Sequence, residues 1–188
     1  QEVTGVRPRW DMAVLLVVGC AWVALFSFLS IFLHETFRST SLDLGLHSQL
    51  LWNLLQGRFM ETSFLQHSFA GNHFWPGLYL LVPFYALGGI HALLVLQCVV
   101  VASGMIPAYL LGRDITGRAR WARALSIAYL VQPTLSVGAL FDFHPELLAV
   151  PLALWTILAF TRGSWTAWCW LAITFAFYEV NAAVFFFS

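Results

Sequence analysis

The residues best suited to chemistry fall in one short stretch, Leu140-Phe-Asp-Phe-His-Pro-Glu146, where Asp142, His144 and Glu146 set three ionisable groups within five positions. Long apolar runs flank it on both sides. Polar groups beside a bilayer are costly to desolvate, so an acid-His-acid cluster there marks a candidate site. The plainer account is an interfacial loop in which Pro145 opens a helix at its first position and Glu146 sits in the first turn. That account gives Asp142 and His144 no helical reason to be there.

Other candidates are spread along the chain. Residues 34–72 bring in His34, Glu35, Arg38, Asp43, His47, Arg58, Glu61 and His67; His73 follows, and Glu179 interrupts the last apolar run. A carboxylate such as Asp43 suits a general base acting on an acceptor hydroxyl. Asp43, His47, His144 and Glu146 together suit a divalent cation that neutralises a lipid-linked phosphate. Arg38 or Arg58 can pair with that phosphate, with His73, Asp142, His144 and Glu146 around it. Glu179, halfway or more through its span, should face the helix bundle and find a partner or a proton. There is no HExxH spacing and no nucleotide or haem motif. No histidine lies mid-span, which disfavours haem or chlorin between helices and leaves ligation near the surface open.

The elements that must position these groups are membrane helices. Of 188 residues, 60% are hydrophobic, 16% aromatic and 10% charged, against roughly a quarter charged in soluble domains. All nine cations are arginine and the net charge is zero, so nothing points to nucleic acid. Cys20, Cys98 and Cys169 lie inside apolar runs at unrelated spacings and read as core or lipid-facing residues. The first apolar run is too long for a signal-peptide core and lacks a small-residue cleavage site. The Gln at position 1 and the apolar last residues read as part of a longer polypeptide.

Met12–Leu33 is free of charge and long enough to cross ~30 Å of hydrocarbon. In the loop that follows, Leu42, Leu46, Leu50, Leu51, Leu54 and Leu55 recur at helical spacing. They predict an amphipathic surface helix opened by Asp43 and closed by Gly57. His73–Gly89 is short and broken by Pro76, Pro83 and glycines, and reads as a partial or re-entrant segment. Leu93–Leu111 is a span ending at Arg113, Arg118, Arg120 and Arg123, a cytoplasmic signature. Ala124–Ala139, kinked at Pro133, then Leu147–Phe160 and Trp165–Phe187 complete five spans, with Arg162 at a second cytoplasmic turn.

The fold class is therefore all-α: a single polytopic membrane bundle over residues 1–188, with 34–92 as outer loop and four further spans in 93–187. The expected location is the cytoplasmic membrane, N-terminus inside, with an acidic, histidine-bearing pocket on the outer face. Most tryptophans, Trp75 among them, fall near membrane–water boundaries and read as anchors.

Leu42-Asp-Leu-Gly-Leu-His-Ser-Gln-Leu-Leu-Trp-Asn53, Gly71-Asn-His-Phe-Trp-Pro76 and the 140–146 string resemble, in order and separation, a group of bacterial and archaeal membrane proteins known as domain of unknown function 2079. The resemblance covers about residues 40–185. That family resembles the N-terminal part of the GT-C superfamily, multi-span glycosyltransferases using polyprenyl-phosphate sugars. The resemblance implies a catalytic acid in the first outer loop, mapping onto Asp43, with amphipathic helices beside it. Two departures stand out: Tyr178-Glu179-Val180 where the family usually has Lys-Glu-Asp, and His47 in place of a more usual aromatic.

Two functions lead. One is transfer of sugar from a polyprenyl-phosphate lipid, with Asp43 as base and Asp142, His144, Glu146 and Glu179 shaping the site. The other is a non-catalytic subunit of a larger membrane complex, with or without pigments, packed against other membrane chains. A transporter using Glu179 as a proton relay is a third option.

Overall fold

A computed structural model of the chain describes residues 8–39, 41–65, 67–71 and 73–178, and among these there is no strand. Eight α-helices follow one another among the described residues: α1 (Pro8–Glu35), α2 (Ser41–Leu55), α3 (Leu78–Ser103), α4 (Met105–Thr116), α5 (Ala119–Leu130), α6 (Pro133–Phe141), α7 (Pro145–Thr161) and α8 (Thr166–Phe177). Among the described residues, three stretches are long and apolar enough to cross a membrane: Trp10–Glu35, the α3–α4 run Leu78–Thr116, and the α5–α6 run Ala119–Phe141. Helices α7 and α8 are apolar but shorter.

The α3–α4 run is 39 residues, about 58 Å at 1.5 Å per residue and far more than one crossing needs. Gly88 and Gly89 divide it, Gly89 at a φ of 56° that only glycine adopts freely. The piece before this kink, Leu78–Leu87, is only about 15 Å long and cannot cross alone. This piece falls within the short segment His73–Gly89 read from the prolines and glycines. It joins the following span as one kinked helix and begins at Leu78, because Trp75, Pro76 and Gly77 form the turn into it.

Two boundaries differ from the sequence reading. Pro133 does not kink a continuous helix. It stands at the first position of α6, after an extended Gln132, because proline lacks an N–H and pushes its predecessor out of the helical region. Helix α5 starts at Ala119, so Arg120 and Arg123 ride on its first turns and are not in a loop.

Helix α2 closes as expected. Gly57 has φ 74°, its N–H donates to Leu54, and the Arg58 N–H reaches back to Asn53 at 2.9 Å. These two bonds satisfy carbonyls that the helix end leaves bare. Leu44, Leu50 and Leu51 are buried where α2 lies on α3; each stabilises that contact by about 2 kcal/mol relative to exposure to water.

The apolar interior divides in two. One part holds Leu44, Leu50, Leu51, Trp75, Phe143 and Leu148, beneath α2 and the start of α7. The other holds Leu15, Trp22, Cys98, Met105, Tyr109 and Leu135, among α1, α3, α4, α5 and α6. Within hydrocarbon, polar ties and close approach matter more than apolar burial. The Tyr129 hydroxyl donates to Val101 O (2.9 Å) and Ser126 to Met105 O (2.7 Å). Gly104 lets Tyr129 in, since a Cβ there would collide with the tyrosine hydroxyl. Asp11, 1% exposed, accepts from the Tyr109 hydroxyl at 2.9 Å and faces Arg123 Nε at 3.3 Å. The N-terminal end of α1 and the arginine-rich α4–α5 junction therefore lie at the same end of the bundle.

Candidate functional site

At the other end of α1 lie α2 and the start of α7. Asp43 and His47 are four residues apart on α2 and so share a face. His144 is the extended residue that precedes Pro145 at the first position of α7, and Glu146 sits in that helix's first turn. The helical account of Pro145 and Glu146 is thus correct, and the remaining groups still converge. His144 Nε2 stands 3.5 Å from Asp43 Oδ2, their side chains 29% and 40% exposed. The ring of His144 leans on Phe141 at 5.3 Å between centroids.

A buried amide holds the α6–α7 break in place. Gln97, fully buried in α3, donates to Asp142 O at 2.9 Å and accepts from the His144 N–H at 2.8 Å. Backbone groups in a gap between helices have no intrahelical partners, and one side chain here satisfies two of them. Asp142 itself is buried, and Phe143 beside it is fully enclosed.

Phe143 begins a file of rings. It meets His47 edge-on at 5.8 Å, His47 stacks on Trp75 at 5.4 Å, and His73 stacks on Trp75 at 4.8 Å. Trp75, 4% exposed, is therefore a core residue here and not a boundary anchor. Trp10, Trp52, Trp121, Trp165 and Trp168 remain at least half exposed. His47 Nδ1 lies 2.7 Å from Asp43 O, while Nε2 is buried with no hydrogen-bond partner among the described residues. Burial, reinforced by the charge of His144, lowers the His47 pKa from 6.5 to about 4, against the raising effect of the Asp43 carbonyl. His47 is neutral at pH 7.

Behind His144 opens a cleft of about 920 Å³, lined by Val137, Phe141, Val150 and Leu154, with His144 and Glu146 among its polar groups. One carboxylate oxygen of Glu146 is buried without a hydrogen-bond partner among the described residues. An apolar trough with a few polar groups is the form of a site for an amphipathic ligand.

The other expected residues are placed differently. Arg58 lies beyond the far end of α2, about 18 Å of helix from Asp43. There its Nη2 donates to Asn53 Oδ1 at 2.6 Å and it lies over the Trp52 ring. Arg38 is exposed in the turn between α1 and α2. Glu179 lies outside the described residues. Of the four groups expected to hold a cation, Asp43 and His144 pair through their side chains, and His47 touches Asp43 only through the backbone carbonyl. Gln97 was missed, though a lone amide in the Leu93–Leu111 run was its signal: buried in hydrocarbon it must find partners. Asp11 gave a weaker signal as an acid at the edge of the first span.

Fold and site together define a polytopic, all-helical membrane protein with a polar vestibule at one end. The chain matches the family described as "Predicted membrane protein (DUF2079)" over residues 33–188 and belongs to it. No curated protein and no solved structure matches it.

Proposed function

We propose that this protein transfers a sugar from a polyprenyl-phosphate donor to an acceptor hydroxyl at the outer surface of the cytoplasmic membrane. The observation that carries this reading is the Asp43–His144 pair, 3.5 Å apart, beside an apolar cleft that His144 and Glu146 help to line. The cleft takes the prenyl chain, and the sugar phosphate sits at the polar end. Asp43 removes the acceptor proton, the acceptor oxygen attacks the anomeric carbon, and the lipid phosphate leaves with the bonding pair. His144 orients the Asp43 carboxylate. Arg38, exposed in the turn leading into α2, supplies a guanidinium for the phosphate. Resemblance to the N-terminal part of GT-C enzymes adds support, with Asp43 at the position of their catalytic acid. The orientation draws on the arginines of the α4–α5 junction, tied to the start of α1 by Asp11 and Arg123.

The test is transfer from a radiolabelled polyprenyl-phosphate sugar by the protein in liposomes. Asp43→Asn should lower the rate by about a hundredfold or more, with unchanged melting. Transfer at the wild-type rate in that variant overturns the assignment.

A non-catalytic subunit is the second reading, favoured by α1, of whose apolar window only 17% is buried within the chain. Such a helix offers a long face to neighbouring helices. This reading predicts no transfer by the wild-type chain and copurification with other membrane chains.

A further inference from the structure

Outside the vestibule pair, one group of side chains among the described residues brings three metal-ligating atoms together. His34 and Glu35 end α1, and His91 lies in α3 just past its kink. Their ligand atoms all lie within 4.8 Å of one another. His91 Nε2 is 2.6 Å from Glu35 Oε1, and the His34 and His91 rings meet edge-on with centroids 5.9 Å apart. We infer that His34, Glu35 and His91 form a three-ligand site for a divalent transition metal of the zinc type, joining the end of α1 to α3.

The donor set and the backbone beneath it both fit. Two imidazoles, which are borderline nitrogen donors, and one carboxylate make a His₂Glu set that zinc and its neighbours accept, and the two imidazoles disfavour calcium and magnesium. At metal–ligand bonds near 2.05 Å, tetrahedral donors stand about 3.3 Å apart. Small side-chain rotations would open the 2.6 Å His91–Glu35 contact and close the wider gaps. The side chains of His91 and Glu35 are 52% and 59% exposed, so an ion can enter and a fourth position stays open to water.

Both supporting backbones have a defined shape. After His34 the chain turns back, with the Phe37 N–H donating to His34 O and the Arg38 N–H to Leu33 O, and Phe37 at φ 56°. On the other side the Gly88–Gly89 break restarts the helix at about Ile90, so His91 falls in its first turn.

The experiment uses the full chain in detergent, stripped with chelator and titrated with Co²⁺ and then Zn²⁺. One Co²⁺ per chain should bind with the visible absorption of a tetrahedral site, be displaced by Zn²⁺, and raise the melting temperature. His91→Gln keeps a donor for Glu35 and should melt like the wild type without metal. That variant and His34→Gln should each weaken binding by about a hundredfold or more, whereas Asp43→Asn should leave it unchanged. Absence of saturable binding to the wild type, or full binding by both histidine variants, overturns the site and leaves the vestibule reading untouched.

Discussion

His144 Nε2 and Asp43 Oδ2 meet at 3.5 Å although one side chain leaves the start of α7 and the other the first turn of α2. Both are partly exposed, at 29% and 40%, so solvent screens their attraction. The pair should contribute no more than about 1 kcal/mol to stability. A double-mutant cycle of Asp43→Asn and His144→Gln in urea should return a coupling of that size. Coupling of several kcal/mol would instead make the pair a structural element, and activity lost on mutation would then report folding.

His47 should make the protein sensitive to acid. Its pKa falls from 6.5 to about 4 in the folded state, so the unfolded chain binds a proton more readily between those values. Stability is therefore full above pH 6.5 and declines as pH drops towards 4, by about 3 kcal/mol in all. His47→Phe keeps a ring between Trp75 and Phe143 without a titrating nitrogen. Melting between pH 7.5 and 4.5 should show a smaller acid loss in this variant; equal losses would assign the effect to another group.

Gln97 serves both Asp142 O and the His144 N–H, so Gln97→Leu takes the side-chain partner from two backbone groups in a buried gap. The expected cost is about 2–5 kcal/mol. Amide exchange at His144 should accelerate before global unfolding does. Unchanged protection there would show that the break between α6 and α7 holds without the amide.

The Asp11–Arg123 contact should respond unequally to its two halves. Asp11 is 1% exposed and Arg123 is 35% exposed. Arg123→Gln leaves a buried carboxylate without its cation and should cost about 3–5 kcal/mol. Asp11→Asn leaves a guanidinium that water can reach, so it should cost less. Denaturant titration of the two variants gives the order directly, and a reversed order would mean that the buried Asp11 side chain does not depend on Arg123.

Much of the frame was legible along the chain. Apolar runs cannot leave backbone groups bare in hydrocarbon, so they form helices. Their breaks follow from local stereochemistry at Gly57, at Gly88 and Gly89, and at Pro145. The chemistry-bearing residues were legible as types: Asp43, His144 and Glu146 stand out against hydrocarbon wherever they end up.

Which of them meet was decided only in three dimensions. Asp43 pairs with His144 while Arg58 turns to Asn53. His34 and Glu35 meet His91. A mid-helix amide, Gln97, holds the loop that carries the site. Helix formation is fixed by neighbours within a few residues, but these encounters depend on kink angles and on how α2 and α7 sit against α3. Small rotations there move a side chain by several ångströms, and no local spacing encodes them.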